Sequence, residues 1–147
     1  MKYHKGDLFK FVDKLKGKVV IPHIVNNVNV MGAGFVVPLC KKWPKVKEEY
    51  HKYCERNSQT ILLGNCQYIE VSDNITVINM FAQEGIKRQN SKPIKYKELA
   101  ECMDDIAGEI RYNGETVNIV APKFGSGLAG GNWAFIEELI NELWFDM

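Results

Sequence analysis

The sequence predicts an α/β domain in which helices flank a central mixed β-sheet. Short runs of β-branched and apolar residues alternate with longer segments of helical periodicity, and two of the short runs are separated only by the turn Ser72-Asp73-Asn74. Two glycine-rich segments each follow a strand-like run and precede a helical one. Because a chain of 147 residues can bury a sizeable core, we expect one domain over residues 1–147.

The first two elements are a buried strand and a long helix. Residues 18–25 (KVVIPHIV) are apolar on both alternating faces, which is typical of a central strand. Pro22 removes one ladder hydrogen bond and therefore indicates a bulge or the end of this strand. Residues 33–56 indicate a helix that begins after small residues, and Pro44 must interrupt or kink it.

The remaining elements continue the alternation. Residues 66–71 and 75–80 predict a hairpin. A helix from about 93 to 112 follows, since a proline suits a first turn and apolar residues recur at helical spacing. A strand at 116–121 and a final helix at 131–144 complete the order.

Composition restricts the partners. The 19 basic and 18 acidic residues give a net charge of +1, which argues against a general nucleic-acid binder, although residues 1–56 carry +7 and residues 57–147 carry −6. The apolar stretches fall far short of the roughly 20 residues that span a bilayer. The first residues lack the pattern of a signal peptide. We therefore expect a cytoplasmic protein without a membrane partner, and the oligomeric state stays open.

The four cysteines do not predict a metal site. No CxxC motif and no pair of histidines at metal-ligand spacing occurs. His51 and Cys54 lie three residues apart, but two ligands cannot close a zinc site. We expect reduced thiols and neither a metal nor another cofactor.

The two glycine-rich segments predict a phosphate site. They are residues 23–34 (HIVNNVNVMGAG) and residues 122–133 (PKFGSGLAGGNW). Glycine at a strand-to-helix turn permits positive φ and lets backbone N–H groups approach a ligand. Two such loops at the carboxyl ends of neighbouring strands suit a diphosphate. The alternative is that both are merely tight connections.

Two other phosphate-binding classes fit less well. The P-loop pattern GxxxxGK[ST] is absent, which argues against a nucleoside triphosphatase. Met31-Gly-Ala-Gly could open a dinucleotide fingerprint, but Val37 replaces its third small residue. No acidic residue about 20 positions later stands at the end of a second strand, as the βαβ arrangement of this fingerprint requires.

Several motifs together resemble the macro domain family. They are Gly6-Asp7-Leu8-Phe9, the His-x-x-Asn segment that leads into Gly32-Ala33-Gly34, and PKFGSGLAGG from residue 122. The order HIVNNVNVMGAGF…LLGNC is similar to the branch that contains ADP-ribose 1″-phosphate phosphatases. The resemblance covers nearly the whole chain. It implies a three-layer macro domain that binds ADP-ribose or a derivative and hydrolyses ADP-ribose 1″-phosphate without a metal.

The resemblance also implies ligand-binding residues. Asp7, next to Leu8, would accept a hydrogen bond from the adenine amino group, although by itself it fits a helix N-cap equally well. One glycine-rich loop would surround the distal ribose and its 1″ substituent, and the other would bind the diphosphate through backbone N–H groups. The residues concerned are Gly32, Ala33 and Gly34 in the first loop and Gly125, Ser126, Gly127, Leu128 and Ala129 in the second. Phe81 is a candidate for the cleft wall or for the core.

Two side chains are candidates for catalysis. His23 matches the histidine of the His-x-x-Asn segment and could act as general acid or orient a water, whereas a lone histidine in an apolar strand is often a core residue. Asn26 would bond the distal ribose and hold the water. Ala129 stands where the lysine-adduct macro domains have an acidic residue, and residues 78–83 contain no lysine, so that mechanism is disfavoured.

Two alternatives to the phosphatase remain open. One is a module that binds ADP-ribose without turnover, and the other is a hydrolase of ADP-ribosyl esters or related NAD-derived nucleotides. The basic, polar segment at residues 85–92 predicts an exposed loop that could close over the cleft.

Overall fold

The computed structural model describes residues 1–86 and 92–144. Its helices and strands in chain order are α1 (Leu8–Asp13), β1 (Lys18–Asn26), α2 (Val36–Lys42), α3 (Pro44–Arg56), α4 (Gln59–Leu62), β2 (Cys66–Glu70), β3 (Ile75–Gln83), α5 (Tyr96–Asn113), β4 (Val117–Ile119) and α6 (Trp133–Trp144). Within these residues no helix is both long and apolar enough to cross a membrane.

The four strands form one mixed sheet in the order β2-β3-β1-β4. Strand β1 runs parallel to both β3 and β4, and β2 pairs with β3 in the antiparallel sense. The predicted mixed sheet is therefore confirmed. Because β1, β3 and β4 are parallel, their carboxyl ends meet at one edge of the sheet, where the segments that follow them come together.

Helices cover both faces of the sheet, which confirms the layered α/β architecture. On one face α1, α2 and α3 pack on a cluster of buried residues: Val12, Val19, Ile21, Leu39, Val46, Ile69, Ile75 and Val77. On the other face α5 and α6 bury a second cluster that includes Ile78, Met80, Leu99, Met103, Ile106 and Ile136. Alternate residues of β3 thus face opposite layers, as the pleat requires.

The predicted helix over residues 33–56 is two helices. Trp43 has φ −130° and ψ 85°, which is not helical, and Pro44 occupies the first turn of α3. The proline cannot donate to the previous turn, and it disfavours helical backbone in the residue before it. The break separates α2, which follows the first glycine-rich segment, from α3, which packs along the sheet.

Strand β1 passes through Pro22 without a bulge there. Val20 accepts from the backbone N–H of Val120, and Ile119 is the last β4 residue that pairs with it. The backbone of Pro22, two residues further along, also faces the β4 side, but it lies beyond the last residue pair between β1 and β4. Its missing N–H therefore costs no hydrogen bond of the sheet. The register irregularity lies instead between Val25 and Asn26.

The boundaries of α5 and two short helices also differ from the sequence prediction. Helix α5 begins at Tyr96 because the preceding residues are extended: Ile94 bridges to Gln83 and donates to Ala129, and Lys95 donates to Ala82. The short helices α1 and α4 were not predicted. Of the predicted loop at 85–92, residues 87–91 lie outside the described part of the chain.

Candidate functional site

A cavity of about 680 Å³ lies at the carboxyl ends of β1 and β4. Its walls are the end of β1, the first loop (residues 27–35) and the second loop (residues 120–132). Gln83 at the end of β3 and Ile86 shortly after it complete the wall. The lining residues are His23–Asn26, Val30–Val36, Gln83, Ile86 and Pro122–Ala129. This volume lies within the range of about 300–1,000 Å³ that holds a small organic ligand.

The second loop is closed by a backbone contact between two glycines. The Gly131 N–H donates to the Gly125 carbonyl at 2.6 Å, and Gly125 has φ +79°. A Cβ on Gly131 would collide with that carbonyl oxygen and would lie 2.8 Å from Ile94 Cδ1. Only glycine therefore allows the loop to close so tightly on the core.

Both loops present backbone donors that have no partner within the described residues. None of the N–H groups in Gly125–Ala129 donates to a backbone or side-chain acceptor of residues 1–86 or 92–144, and the same is true of Gly32–Val36. A Cβ added to Gly34 would lie 3.8 Å from Leu128 Cδ1, so the two loops approach each other across the cavity. Backbone donors without a protein partner in two loops that line one cavity favour an anionic or oxygen-rich ligand.

Asn26 shapes the first loop with its side chain. Its Oδ1 accepts from the Val28 N–H at 3.0 Å and the Tyr50 hydroxyl at 2.8 Å, and its Nδ2 donates to the Val30 carbonyl at 2.7 Å. Asn29 completes the turn with φ +61°. The oxygen of the Asn26 amide is thus occupied within the protein, which leaves one Nδ2 hydrogen for any ligand.

His23 is buried at the base of the cavity and is neutral at pH 7. Its side chain is 1% exposed, and its Nε2 lies 2.5 Å from Asn79 Oδ1. Burial lowers the pKa of His23 to about 4, and the hydrogen bond to Asn79 offsets this only in part. Its Nδ1 has no hydrogen-bond partner among the described residues. A neutral ring cannot supply the proton of an imidazolium, so the geometry favours the water-orienting hypothesis over general-acid catalysis.

Three predicted ligand residues lie outside the cavity wall. Asp7 is the N-cap of α1, where its Oδ1 accepts from the Phe9 N–H at 2.8 Å, and Leu8 packs toward the core. Phe81 is fully buried between the rings of Tyr50 and Tyr53, which favours the core over the cleft wall, the two alternatives that the sequence left open. The physical reason is packing: Phe81 belongs to a buried cluster with Val25, Met31, Tyr50 and Leu62, on the side of the sheet that α3 and α4 cover.

The cavity wall also contains residues that the sequence did not single out. Phe35 packs against the His23 ring with centroids 5.6 Å apart, and its position directly after Gly34 was the signal available. Lys123 is the one acidic or basic side chain besides His23 among the described lining residues. Its Nζ lies 5.4 Å from the Tyr3 ring centroid and 5.8 Å from that of Trp133. The aromatic rings hold this cation at the rim.

Relatives of known name are similar to the chain over most of its length. No family model matches it. Proteins named ADP-ribose 1″-phosphate phosphatase from Candida albicans and Lodderomyces elongisporus are 29% and 26% identical to it, and each alignment covers 97% of this chain and 92% of the relative.

Solved structures share the fold. A Bacteroides thetaiotaomicron protein described as of unknown function is 32% identical, with a TM-score of 0.86, over 98% of this chain and 90% of that one. A macrodomain protein from Streptomyces coelicolor is 26% identical, with a TM-score of 0.75, over 90% of this chain and 84% of that one. The chain therefore has the macro domain fold, and its sequence is similar over most of its length to the proteins named ADP-ribose 1″-phosphate phosphatase.

Proposed function

We propose that this macro domain binds ADP-ribose and hydrolyses ADP-ribose 1″-phosphate to ADP-ribose and phosphate without a metal. The observation that carries the proposal is that Gly32–Val36 and Gly125–Ala129, whose N–H groups have no partner among the described residues, line one cavity. Such donors suit the diphosphate and phosphate oxygens of this ligand and require no excess of positive charge. The relatives of similar length named ADP-ribose 1″-phosphate phosphatase support the same substrate.

The proposed reaction is a simple displacement at phosphorus. The oxygen of a water forms a bond to phosphorus, and the bond from phosphorus to the 1″ oxygen breaks. One proton of that water ends on the 1″ oxygen, which leaves as the ribose hydroxyl. Backbone N–H groups of the loops stabilise the charge on the phosphoryl oxygens, while binding of the rest of the ligand positions the reacting end.

His23 and Asn26 have different roles in this proposal. The neutral imidazole of His23 orients the attacking water by accepting a hydrogen bond from it. Asn26 contributes chiefly by holding the first loop, since its Oδ1 is engaged by Val28 and Tyr50. Asp7 retains lone pairs that its N-cap bond does not use, and it would have to bind adenine from outside the cavity.

A binding module without turnover is the second candidate. The observation that favours it is the absence of any carboxylate among the described lining residues, where Lys123 and His23 are the only titratable side chains. A hydrolase normally pairs a nucleophile or water with a stronger base than a buried neutral histidine.

Two measurements with one pair of variants separate these candidates. Calorimetry with ADP-ribose tests binding, and release of inorganic phosphate from ADP-ribose 1″-phosphate in the presence of a chelator tests turnover. Gly131→Ala disrupts the loop closure, and Gly108→Ala is the matched control because its Cβ would meet nothing within 4 Å on helix α5.

The outcomes distinguish three cases. We expect both binding and phosphate release in the wild type and in Gly108→Ala, and binding weakened about ten- to a hundredfold, with slower phosphate release, in Gly131→Ala. Binding without phosphate release supports the binding module. No binding of ADP-ribose at high micromolar concentration contradicts both candidates.

A further inference from the structure

A row of three polar side chains crosses the buried face of the sheet beneath the cavity. His23 on β1 stands opposite Asn79 on β3, and Asn79 stands opposite Gln67 on β2. Their exposed fractions are only 1%, 0% and 8%. The row separates the apolar cluster around Ile21 and Val77 from the one around Phe81. Polar groups in such a place need partners for every donor and acceptor, and their arrangement is therefore constrained.

The direction of the hydrogen bonds in this row is set at its far end. Gln67 Nε2 lies 2.8 Å from the backbone carbonyl of Glu49, which can only accept. Gln67 must therefore turn its amide nitrogen to Glu49 and its oxygen to Asn79. Asn79 Nδ2 donates to that oxygen at 3.0 Å, so Asn79 Oδ1 faces His23. Reversing either amide would place two carbonyl oxygens against each other.

This direction decides which ring nitrogen of His23 carries the proton. Asn79 Oδ1 is an acceptor and lies 2.5 Å from His23 Nε2, so Nε2 must donate. In a neutral imidazole the other nitrogen, Nδ1, then carries a lone pair. That Nδ1 has no partner among the described residues, although His23 belongs to the cavity wall. An unpaired buried acceptor costs stability, and it is commonly kept where a ligand or water completes it.

We propose that Asn79 and Gln67 are positioning residues that hold His23 in the Nε2–H tautomer, so that Nδ1 accepts a hydrogen bond from the 1″ end of the bound ligand or from the reacting water. The inference rests on the proposed function, because it assigns the atom through which His23 acts. Neither Asn79 nor Gln67 lines the cavity, so each acts through His23.

The first test is spectroscopic and needs no turnover. Long-range ¹H–¹⁵N correlation spectra of the imidazole nitrogens distinguish a protonated nitrogen from one with a lone pair, and His23→Gln identifies the His23 signals among the three histidines. We expect Nε2–H in the wild type at pH 7 and a shift of the Nδ1 resonance when ADP-ribose saturates the protein. An Nδ1–H tautomer, or an Nδ1 resonance that saturating ADP-ribose leaves unchanged, overturns the proposal.

Three variants test the row itself. Asn79→Leu removes the acceptor, whereas Asn79→Asp loses the donor to Gln67 Oε1 but keeps an acceptor of the same size opposite His23, so Nε2 should stay protonated. Gln67→Leu removes the residue that fixes the orientation of the Asn79 amide. That amide can then rotate, so His23 in this variant should show a mixture of the two tautomers. We expect Asn79→Leu and Gln67→Leu to lower kcat by about ten- to a hundredfold with KM within about twofold of wild type.

The two proposals fail in different ways. If Asn79→Leu and Gln67→Leu both keep a pure Nε2–H tautomer, the inference about positioning is wrong whatever the activity. If the wild type releases no phosphate while the tautomer and the ADP-ribose shift are as expected, the proposed phosphatase activity is wrong. The inference that Asn79 and Gln67 position Nδ1 toward the ligand then still holds, for a site that only binds. Should Asn79→Leu not fold, Gln67→Leu and Asn79→Asp still decide the tautomer.

Discussion

Replacing Gly131 by alanine tests the idea that the second loop binds through a tightly closed backbone. The new Cβ would collide with the carbonyl oxygen of Gly125, which is backbone, and would lie 2.8 Å from Ile94 Cδ1 and 3.1 Å from Ile136 Cδ1. The carbonyl cannot move away without breaking its hydrogen bond to the Gly131 N–H. The loop must therefore open.

The expected magnitude follows from these contacts. Overpacking costs about 1–3 kcal/mol, and the lost backbone hydrogen bond adds about 0.5–1.5 kcal/mol, so we expect a loss of about 2–4 kcal/mol in the free energy of unfolding. Loss of one N–H bond to a charged phosphate oxygen costs about 1.5–3 kcal/mol, which weakens ADP-ribose binding about ten- to a hundredfold.

Denaturant unfolding and calorimetry at 25 °C measure the two effects. Gly108→Ala is the control, because it adds a methyl group on an exposed position of α5 and should raise helix stability by up to about 1 kcal/mol without changing affinity. Wild-type stability and wild-type affinity in Gly131→Ala would refute the argument that a close backbone approach shapes the site.

Three further predictions concern His23, Lys123 and Tyr50. Because the pKa of His23 is lowered to about 4 from 6.5, the folded state binds fewer protons than the unfolded state between these values. The free energy of unfolding of the wild type should therefore fall by about 3 kcal/mol relative to that of His23→Gln as the pH falls from 6.5 to 4. A constant difference between the two proteins across this range would contradict the burial argument. Lys123→Met should weaken ADP-ribose binding about two- to fivefold and reduce its dependence on salt, as calorimetry at two ionic strengths would show, whereas an unchanged salt dependence would mean that this exposed cation does not face the ligand. Tyr50→Phe removes the hydroxyl that donates to Asn26 and should lower the free energy of unfolding, measured in denaturant, by about 1–2 kcal/mol. An unchanged free energy of unfolding would mean that this hydrogen bond does not stabilise the first loop.

The sheet and the two loops were predictable from sequence because their signals are local. β-branched runs on both faces indicate buried strands, and glycines directly after them indicate turns that need positive φ. The structure places Gly32–Gly34 and Gly125–Ala129 on the same cavity, as the parallel order of β1 and β4 requires. The motif order allowed the family to be identified before any contact was known.

Tertiary contacts decide what the sequence did not predict. Pro93 looks like a first-turn residue, but Ile94 and Lys95 are held extended by Ala129 and Ala82. Phe81 was a candidate for the wall or the core, and its packing against the rings of Tyr50 and Tyr53 decides for the core. No local pattern reveals which side chains complete such a pocket.

The catalytic hypothesis shows the same limit. A histidine in an apolar strand can be a core residue or a functional one, and the sequence left both possibilities open. His23 is in fact buried, but its partners Asn79 and Gln67 come from positions 56 and 44 residues away, and only the strand register brings them together. Asn26 likewise owes its engaged amide to Tyr50 on a different element.

The polar row across β1, β3 and β2 also has a consequence for folding specificity. The apolar residues of these strands are similar enough to tolerate more than one alignment, since valine and isoleucine recur along β1 and β3. A slip of one residue would move His23, Asn79 and Gln67 out of line and leave their donors and acceptors buried without partners. The same three side chains that hold the imidazole would therefore reject misaligned sheets, so that strand pairing is selected by polar groups inside an otherwise permissive apolar layer.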